Sequence, residues 1–132
     1  MRPRLPAPPR RPPARSPADW SIAPRWRAVR PGAIALGPGK TDLLEAIAAS
    51  GSISAAARAL GMSYRRAWVL VATMNASFTR PLVATTSRRS AGAALTRDGR
   101  AVLALYRRIE AKSLAAARAD IVALRRRLRP GA

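Results

Sequence analysis

The segment Ser52-Ile-Ser-Ala-Ala-Ala-Arg-Ala-Leu-Gly-Met-Ser-Tyr-Arg-Arg-Ala-Trp-Val-Leu-Val71 restricts the fold more than any other part of the chain. Ser52 and Ser54 are both suited to cap a helix that runs to Leu60. Gly61 breaks that helix, because it tolerates the positive φ that a tight turn needs. Ser63 is placed to cap a further helix, which the pattern carries to about Asn75. Two helices joined by so short a turn must cross at close range, which demands small residues in the first of them. Ala56 and Ala57 supply these, with Leu60 and Met62 expected as core residues on either side of the turn. In the later helix Ala67, Leu70, Val71 and Met74 fall on one face and are expected inside. The opposite face then shows Ser63, Tyr64, Arg65, Arg66, Val69 and Thr73, and Trp68 is expected to be buried beside Tyr64.

The flanking sequence adds elements on both sides. Val29, Ile34 and Leu36 alternate within 27–36, which suits one short strand followed by a turn at Gly37-Pro38-Gly39. A helix is predicted over Thr41 to Ala49, burying Leu43, Leu44, Ile47 and Ala48. Asp42 and Glu45 would lie near the positive end of its dipole, and Ser50-Gly51 ends it. After Asn75, an extended stretch from Pro81 to Thr86 and a return strand at Ala93 to Thr96 enclose the basic turn Ser87-Arg88-Arg89-Ser90-Ala91-Gly92. Two short strands behind three helices outline a β-wing. Thr96 is placed to cap a last helix continuing to about Arg129, roughly 50 Å long at about 1.5 Å per residue. Its second half repeats Leu114, Ala117, Ile121, Leu124 and Leu128 at heptad-like spacing. Such a seam needs a partner, and a second copy of the chain is the expected one. The alternative is an amphipathic helix folded back on its own domain.

Composition narrows the chemistry. In 132 residues, 25 Lys and Arg stand against six acids, a formal charge of +19. That excess opposes compaction unless a polyanion neutralises it. Nucleic acid is the first candidate and an anionic membrane surface the second, but no apolar run approaches the roughly 20 residues of a membrane span. Absence of cysteine and histidine removes disulfides, thiolate chemistry, histidine acid–base catalysis and most zinc or copper sites. The acids Asp42, Glu45, Asp98, Glu110 and Asp120 are scattered, so no catalytic residue, cofactor, metal or small-molecule ligand site is expected, and the chain is read as a non-enzyme.

Residues 1–31 carry nine of the twelve prolines and eight arginines, a composition that opposes helix and sheet. This segment reads as a disordered basic arm, either an unselected leader or an arm that lies along phosphates or enters a minor groove. Arg10-Arg11 lacks a following apolar region, so no twin-arginine export signal is expected and the compartment is taken as cytoplasmic.

The expected fold class is therefore mainly α with a small β-wing: a winged helix-turn-helix at 32–99, preceded by the arm and followed by a long dimerisation helix at 100–132. In this geometry the first turns of the later helix meet base edges in the major groove. The candidate DNA-binding residues are Ser52, Ser54, Ser63, Tyr64, Arg65, Arg66, Val69, Thr73, Arg88 and Arg89. Arg65 and Arg66 suit bidentate contacts to guanine. Arg88 and Arg89 suit phosphates, or else form a solvated hairpin tip. Arg125, Arg126, Arg127 and Arg129 form a basic tail that is equally well explained as a solvated helix end or as a DNA contact.

The run from Ser50 to Trp68 with Met74-Asn75, followed in order by Pro81-Leu-Val83, Leu95-Thr96, Gly99 and Leu105-Tyr106-Arg107, resembles the N-terminal DNA-binding domain of ModE-type molybdate-responsive regulators, and more distantly that of LysR-type regulators. The resemblance covers about 33–112. It implies a dimeric winged-helix repressor or activator bound to double-stranded DNA, with the helix after the wing joining the subunits. Two departures stand out. The wing reads Ser-Arg-Arg-Ser-Ala-Gly-Ala-Ala where that family's is glycine-rich, and the sequence to Ala132 contains no oxyanion-binding domain. DNA binding is carried over, and molybdate binding is not. The alternatives are an architectural protein that coats DNA without reading it, a helix-mediated adaptor to other regulators, and an alanine-rich bundle with a solvated arginine face.

Overall fold

The computed structural model describes residues 20–85 and 92–130. They divide into two compact units, Trp26–Tyr106 and a second one made of 20–25 with 107–130.

The Trp26–Tyr106 unit opens with a β-hairpin, β1 (Ala28–Arg30) against β2 (Ala33–Leu36). Pro31 and Gly32 form its turn, and Gly32 takes φ 78°, as the second central residue of a type II turn must. The sequence pattern predicts one strand here. The Pro-Gly pair folds the alternating residues into two, and the hairpin begins inside the 1–31 segment that composition assigns to the arm.

α1 spans Pro38–Ser50, three residues longer at its start than the predicted Thr41. Gly37-Pro38-Gly39 is not a turn before the helix but its entry. Proline at the first helical position loses only an N–H that would have no helical partner. Thr41 is buried there and donates its hydroxyl to the Gly37 carbonyl at 2.7 Å. The earlier start leaves no acid in the first turn, so Asp42 and Glu45 do not occupy the dipole position assigned to them. Leu43, Leu44 and Ile47 are fully buried, whereas Ala48 is exposed. Gly51, at φ 74°, closes the helix by donating to the Ile47 carbonyl.

α2 (Ile53–Ala59) and α3 (Tyr64–Ser77) follow. Ala56 and Ala57 are buried where the helices approach. At the end of α2, Gly61 N–H donates to Arg58 and Met62 N–H to Ala57, the paired bonds of a Schellman motif around a glycine at φ 67°. Met62 is half-buried against the core, but Leu60 is exposed: as the C-cap residue it points outward from the turn.

The wing strands are β3 (Val83–Thr85) and β4 (Ala93–Leu95), antiparallel with Val83 opposite Leu95. The expected tip, including Arg88 and Arg89, lies outside the described residues. Behind the wing α4 (Arg97–Ala116) starts, capped by the Thr96 hydroxyl, which accepts Gly99 N–H at 3.0 Å. The core gathers Leu36, the α1 leucines, Ile53, Ala67, Val71, Met74, Leu82, Val83, Leu95, Leu103 and Tyr106. The Tyr106 hydroxyl donates to the Trp26 carbonyl at 2.8 Å, joining the two ends of the unit.

In the second unit the single long helix expected to Arg129 is interrupted. α4 ends at Ala116 and α5 covers Arg118–Arg125. Ala117 between them has φ −95°, ψ 5°, the sparsely populated bridge region. No glycine or proline causes this, and nothing in the residue types explains it. The seam residues Leu114, Ala117, Ile121 and Leu128 are half-buried, and Leu124 is exposed. Trp20 Nε1 donates to the Arg129 carbonyl at 2.7 Å, and Arg125 donates to the Trp20 carbonyl. No helix among the described residues is long and apolar enough to cross a membrane.

Candidate nucleic-acid interface

α3 presents its face through two serine caps. The Ser52 hydroxyl accepts Ala55 N–H at 2.9 Å at the start of α2, and the Ser63 hydroxyl accepts Arg66 N–H at 3.1 Å at the start of α3. Both are side-chain acceptors for otherwise orphaned helix donors. Ser52 and Ser54 are half-buried, while Ser63 is exposed. Tyr64, Arg65, Arg66 and Val69 are exposed together, and Thr73 is half-buried with its hydroxyl donating to the Val69 carbonyl.

Steps of four residues sort this helix into rows. Ala67 and Val71 form the buried row that ends at half-buried Asn75. Arg65, Val69 and Thr73 form one outer row, and Tyr64, Trp68, Ala72 and Ala76 form another, fully exposed one. Trp68 is thus 40% exposed rather than buried. It does lie beside Tyr64, with ring centroids 6.1 Å apart at 81°, an edge-to-face contact. Sequence reasoning missed Trp68, Ala72 and Ala76 as members of this surface. The signal was present in their four-residue spacing from Tyr64, but the bulk of tryptophan argued for the core.

Electrostatically the surface is one-sided. Arg58, Arg65 and Arg66 are the only charged residues on α2 and α3, all exposed, and no acid occurs between Glu45 and Asp98. The ion pair of Arg80 with Asp98 is long at 4.0 Å and exposed, so it contributes little. At the rear of the unit, Lys40 donates to the Ile34 carbonyl, and burial lowers its ammonium pKa below the ordinary lysine value.

The wing is fixed to the helices by three residues. Asn75 Oδ1 accepts the N–H groups of Leu82 and Val83 at 2.9 and 3.1 Å, while its Nδ2 donates to the Val83 carbonyl at 3.1 Å. Thr96 donates its hydroxyl to the Pro81 carbonyl and its N–H to the Leu82 carbonyl. Gly99 brings α4 against Leu82 so closely that a Cβ there would sit 2.0 Å from the Leu82 oxygen. On the far strand, Ala93 N–H donates to the Gly51 carbonyl, so the entrance to α2 pairs with β4. The wing and α3 are therefore held in one frame. Replacing Asn75 with Ala leaves two part-buried N–H groups without acceptors. At about 1–3 kcal/mol for each, a loss of about 2–6 kcal/mol is expected in urea unfolding. Asn75→Asp keeps the acceptor for both N–H groups but sets its second oxygen against the Val83 carbonyl in place of the amide donor, so it should recover only part of this loss.

Residues 40–100 match the family model described as bacterial regulatory helix-turn-helix protein, lysR family. Among curated proteins, the chain is 42% identical over 83 residues to the molybdenum-pterin-binding protein MopA of Rhodobacter capsulatus, covering 61% of this chain and 31% of that protein. It is 41% identical over 78 residues to the molybdenum transport protein ModE of Azotobacter vinelandii, covering 58% and 29%. Identity to the DNA-binding transcriptional dual regulator ModE of Escherichia coli (strain K12) is 42% over 71 residues, covering 52% and 27%. The chain spans about three-tenths of the length of the curated relatives it matches. With serine-capped α2 and α3 around the Gly61 turn, and the wing clamped behind them by Asn75, Thr96 and Gly99, residues 40–100 form a winged helix-turn-helix domain that matches the lysR-family helix-turn-helix model and is similar in sequence to ModE-type proteins.

Proposed function

We propose that this chain is a DNA-binding transcriptional regulator that acts as a homodimer on a roughly palindromic operator. α3 lies in the major groove, Arg65 and Arg66 read base edges, and Ser63 and Tyr64 contact phosphate or base. Ser52 and Ser54, at the start of α2, face the adjacent backbone, with Val69 and Thr73 completing the inserted surface. Arg88 and Arg89 are assigned to phosphates beside the groove, and 100–132 to the contact between subunits, in the cytoplasm alongside the nucleoid. The observation that carries this reading is the exposed face of α3, where two guanidinium groups have no carboxylate partner among the described residues. The reading extends to DNA binding alone. The molybdenum in the relatives' names is not transferred to this chain.

Selection from a pool of random duplexes tests it. The expected product is an enriched motif with twofold symmetry and half-sites about 34 Å apart, one helical turn. Selection that enriches nothing, with tight binding throughout, would instead support an architectural protein coating DNA. The exposed Arg126, Arg127 and Arg129 after α5 are the feature that favours this second reading.

A further inference from the structure

We infer that the aromatic row of α3, led by Trp68, reads the C5-methyl group of thymine, which makes Trp68 a specificity-determining residue in addition to the two arginines. This rests on α3 entering the major groove, as proposed above.

The row Tyr64, Trp68, Ala72 and Ala76 is exposed along its whole length and carries no charge. Val69, 58% exposed, adds an aliphatic group in the neighbouring row. A helix that only clamped phosphates would have no use for such a face, since phosphates are met by cations and N–H donors. The edge-to-face contact with Tyr64 also orients the Trp68 ring before any ligand arrives.

The charge around this row selects its partner. Arg58 on α2 and Arg65 and Arg66 on α3 are the only charges these two helices carry, all exposed, and no acid lies between Glu45 and Asp98, so the face attracts a polyanion and repels a basic protein surface. Among polyanions, duplex DNA carries apolar groups inside an accessible groove, and the apolar group there is the thymine methyl. Duplex RNA lacks that methyl, and its major groove is too deep and narrow for side chains to read. The order of sizes along the row fits insertion as well. The two large rings stand at the N-terminal end, where base edges are met, and Ala72 and Ala76 let the rest of the helix lie close to the groove wall.

The test uses the full chain and one duplex enriched from the random pool, prepared once with dTTP and once with dUTP. Base pairing is unchanged, and only the methyl groups are removed. The wild type should bind the uracil duplex about fourfold more weakly for each methyl it touches, the value of one buried methyl group. Trp68→Ala should bind the thymine duplex more weakly and lose most of this preference, while Trp68→Phe should keep much of it. Circular dichroism checks that both variants fold. If Trp68→Ala does not, Trp68→Gln, which keeps a long side chain but no apolar ring at this exposed position, takes its place and should lose the same preference. Equal wild-type affinity for the two duplexes overturns the inference and leaves the groove reading standing. An unchanged thymine preference in Trp68→Ala also overturns it, because the methyls then act through duplex stiffness or another side chain. A wild type that binds neither duplex overturns the groove reading and this inference together.

Discussion

Gly99→Ala should unfold or severely destabilise the winged domain, although the substitution favours the helix locally. In an exposed helix alanine is better than glycine by about 0.5–1 kcal/mol. Here the added Cβ would meet the Leu82 carbonyl oxygen at 2.0 Å and its carbon at 2.9 Å. Both atoms are backbone, so no side chain is able to rotate away. α4 must retreat from the wing, and with it go the Thr96 bonds to Pro81 and Leu82. Overpacking alone costs about 1–3 kcal/mol, and two strained hydrogen bonds add about 1 kcal/mol each. A net loss of about 3 kcal/mol follows, equivalent to a fall in Tm of about 12–24 °C for a domain of this size. Thermal unfolding followed by circular dichroism measures it. A Tm equal to or above the wild type would show that α4 does not rest on Leu82 as described.

Arg65→Ala with Arg66→Ala should leave stability almost unchanged, since both side chains are exposed and lack carboxylate partners among the described residues, yet remove most operator preference. A bidentate arginine–guanine pair is worth about 1–3 kcal/mol of discrimination. Removing both costs about 2–6 kcal/mol in each half-site, a fall of about 30-fold to 25,000-fold. Binding to random duplex should fall much less. Titrations at several salt concentrations separate the two roles. A residue that reads bases changes the ratio of operator to random affinity. A residue that holds a phosphate mainly sets the slope of log K against log salt, which becomes shallower by about one for each phosphate released. Equal losses on both duplexes, with a shallower slope, would make these arginines phosphate clamps.

Features visible in the sequence are those decided within one turn of chain. Ser52 and Ser63 cap because a hydroxyl three residues before a free N–H is a local arrangement. Gly61 ends α2 because positive φ is a property of one residue. The buried row of α3 follows from helical spacing, and the outer face with Arg65 and Arg66 follows as its complement. Even local reading slips where one dipeptide serves two purposes. Gly37-Pro38 reads equally as a turn and as a helix entry, and Pro31-Gly32 hides the turn of a hairpin inside a proline-rich stretch.

Chain segments far apart in sequence settle the rest. Trp68 has the size of a core residue, and only the arrangement of α1, α2 and the wing around α3 leaves its side of the helix uncovered. Asn75 looks like a helix-end residue until β3 arrives to take its amide. Gly99 looks like a weak point in a helix until Leu82 lies against it. Caps, turns and periodicity depend on neighbours along the chain, so the residues themselves carry them. Burial and close backbone approach depend on which surfaces meet, and that is set by the whole core at once.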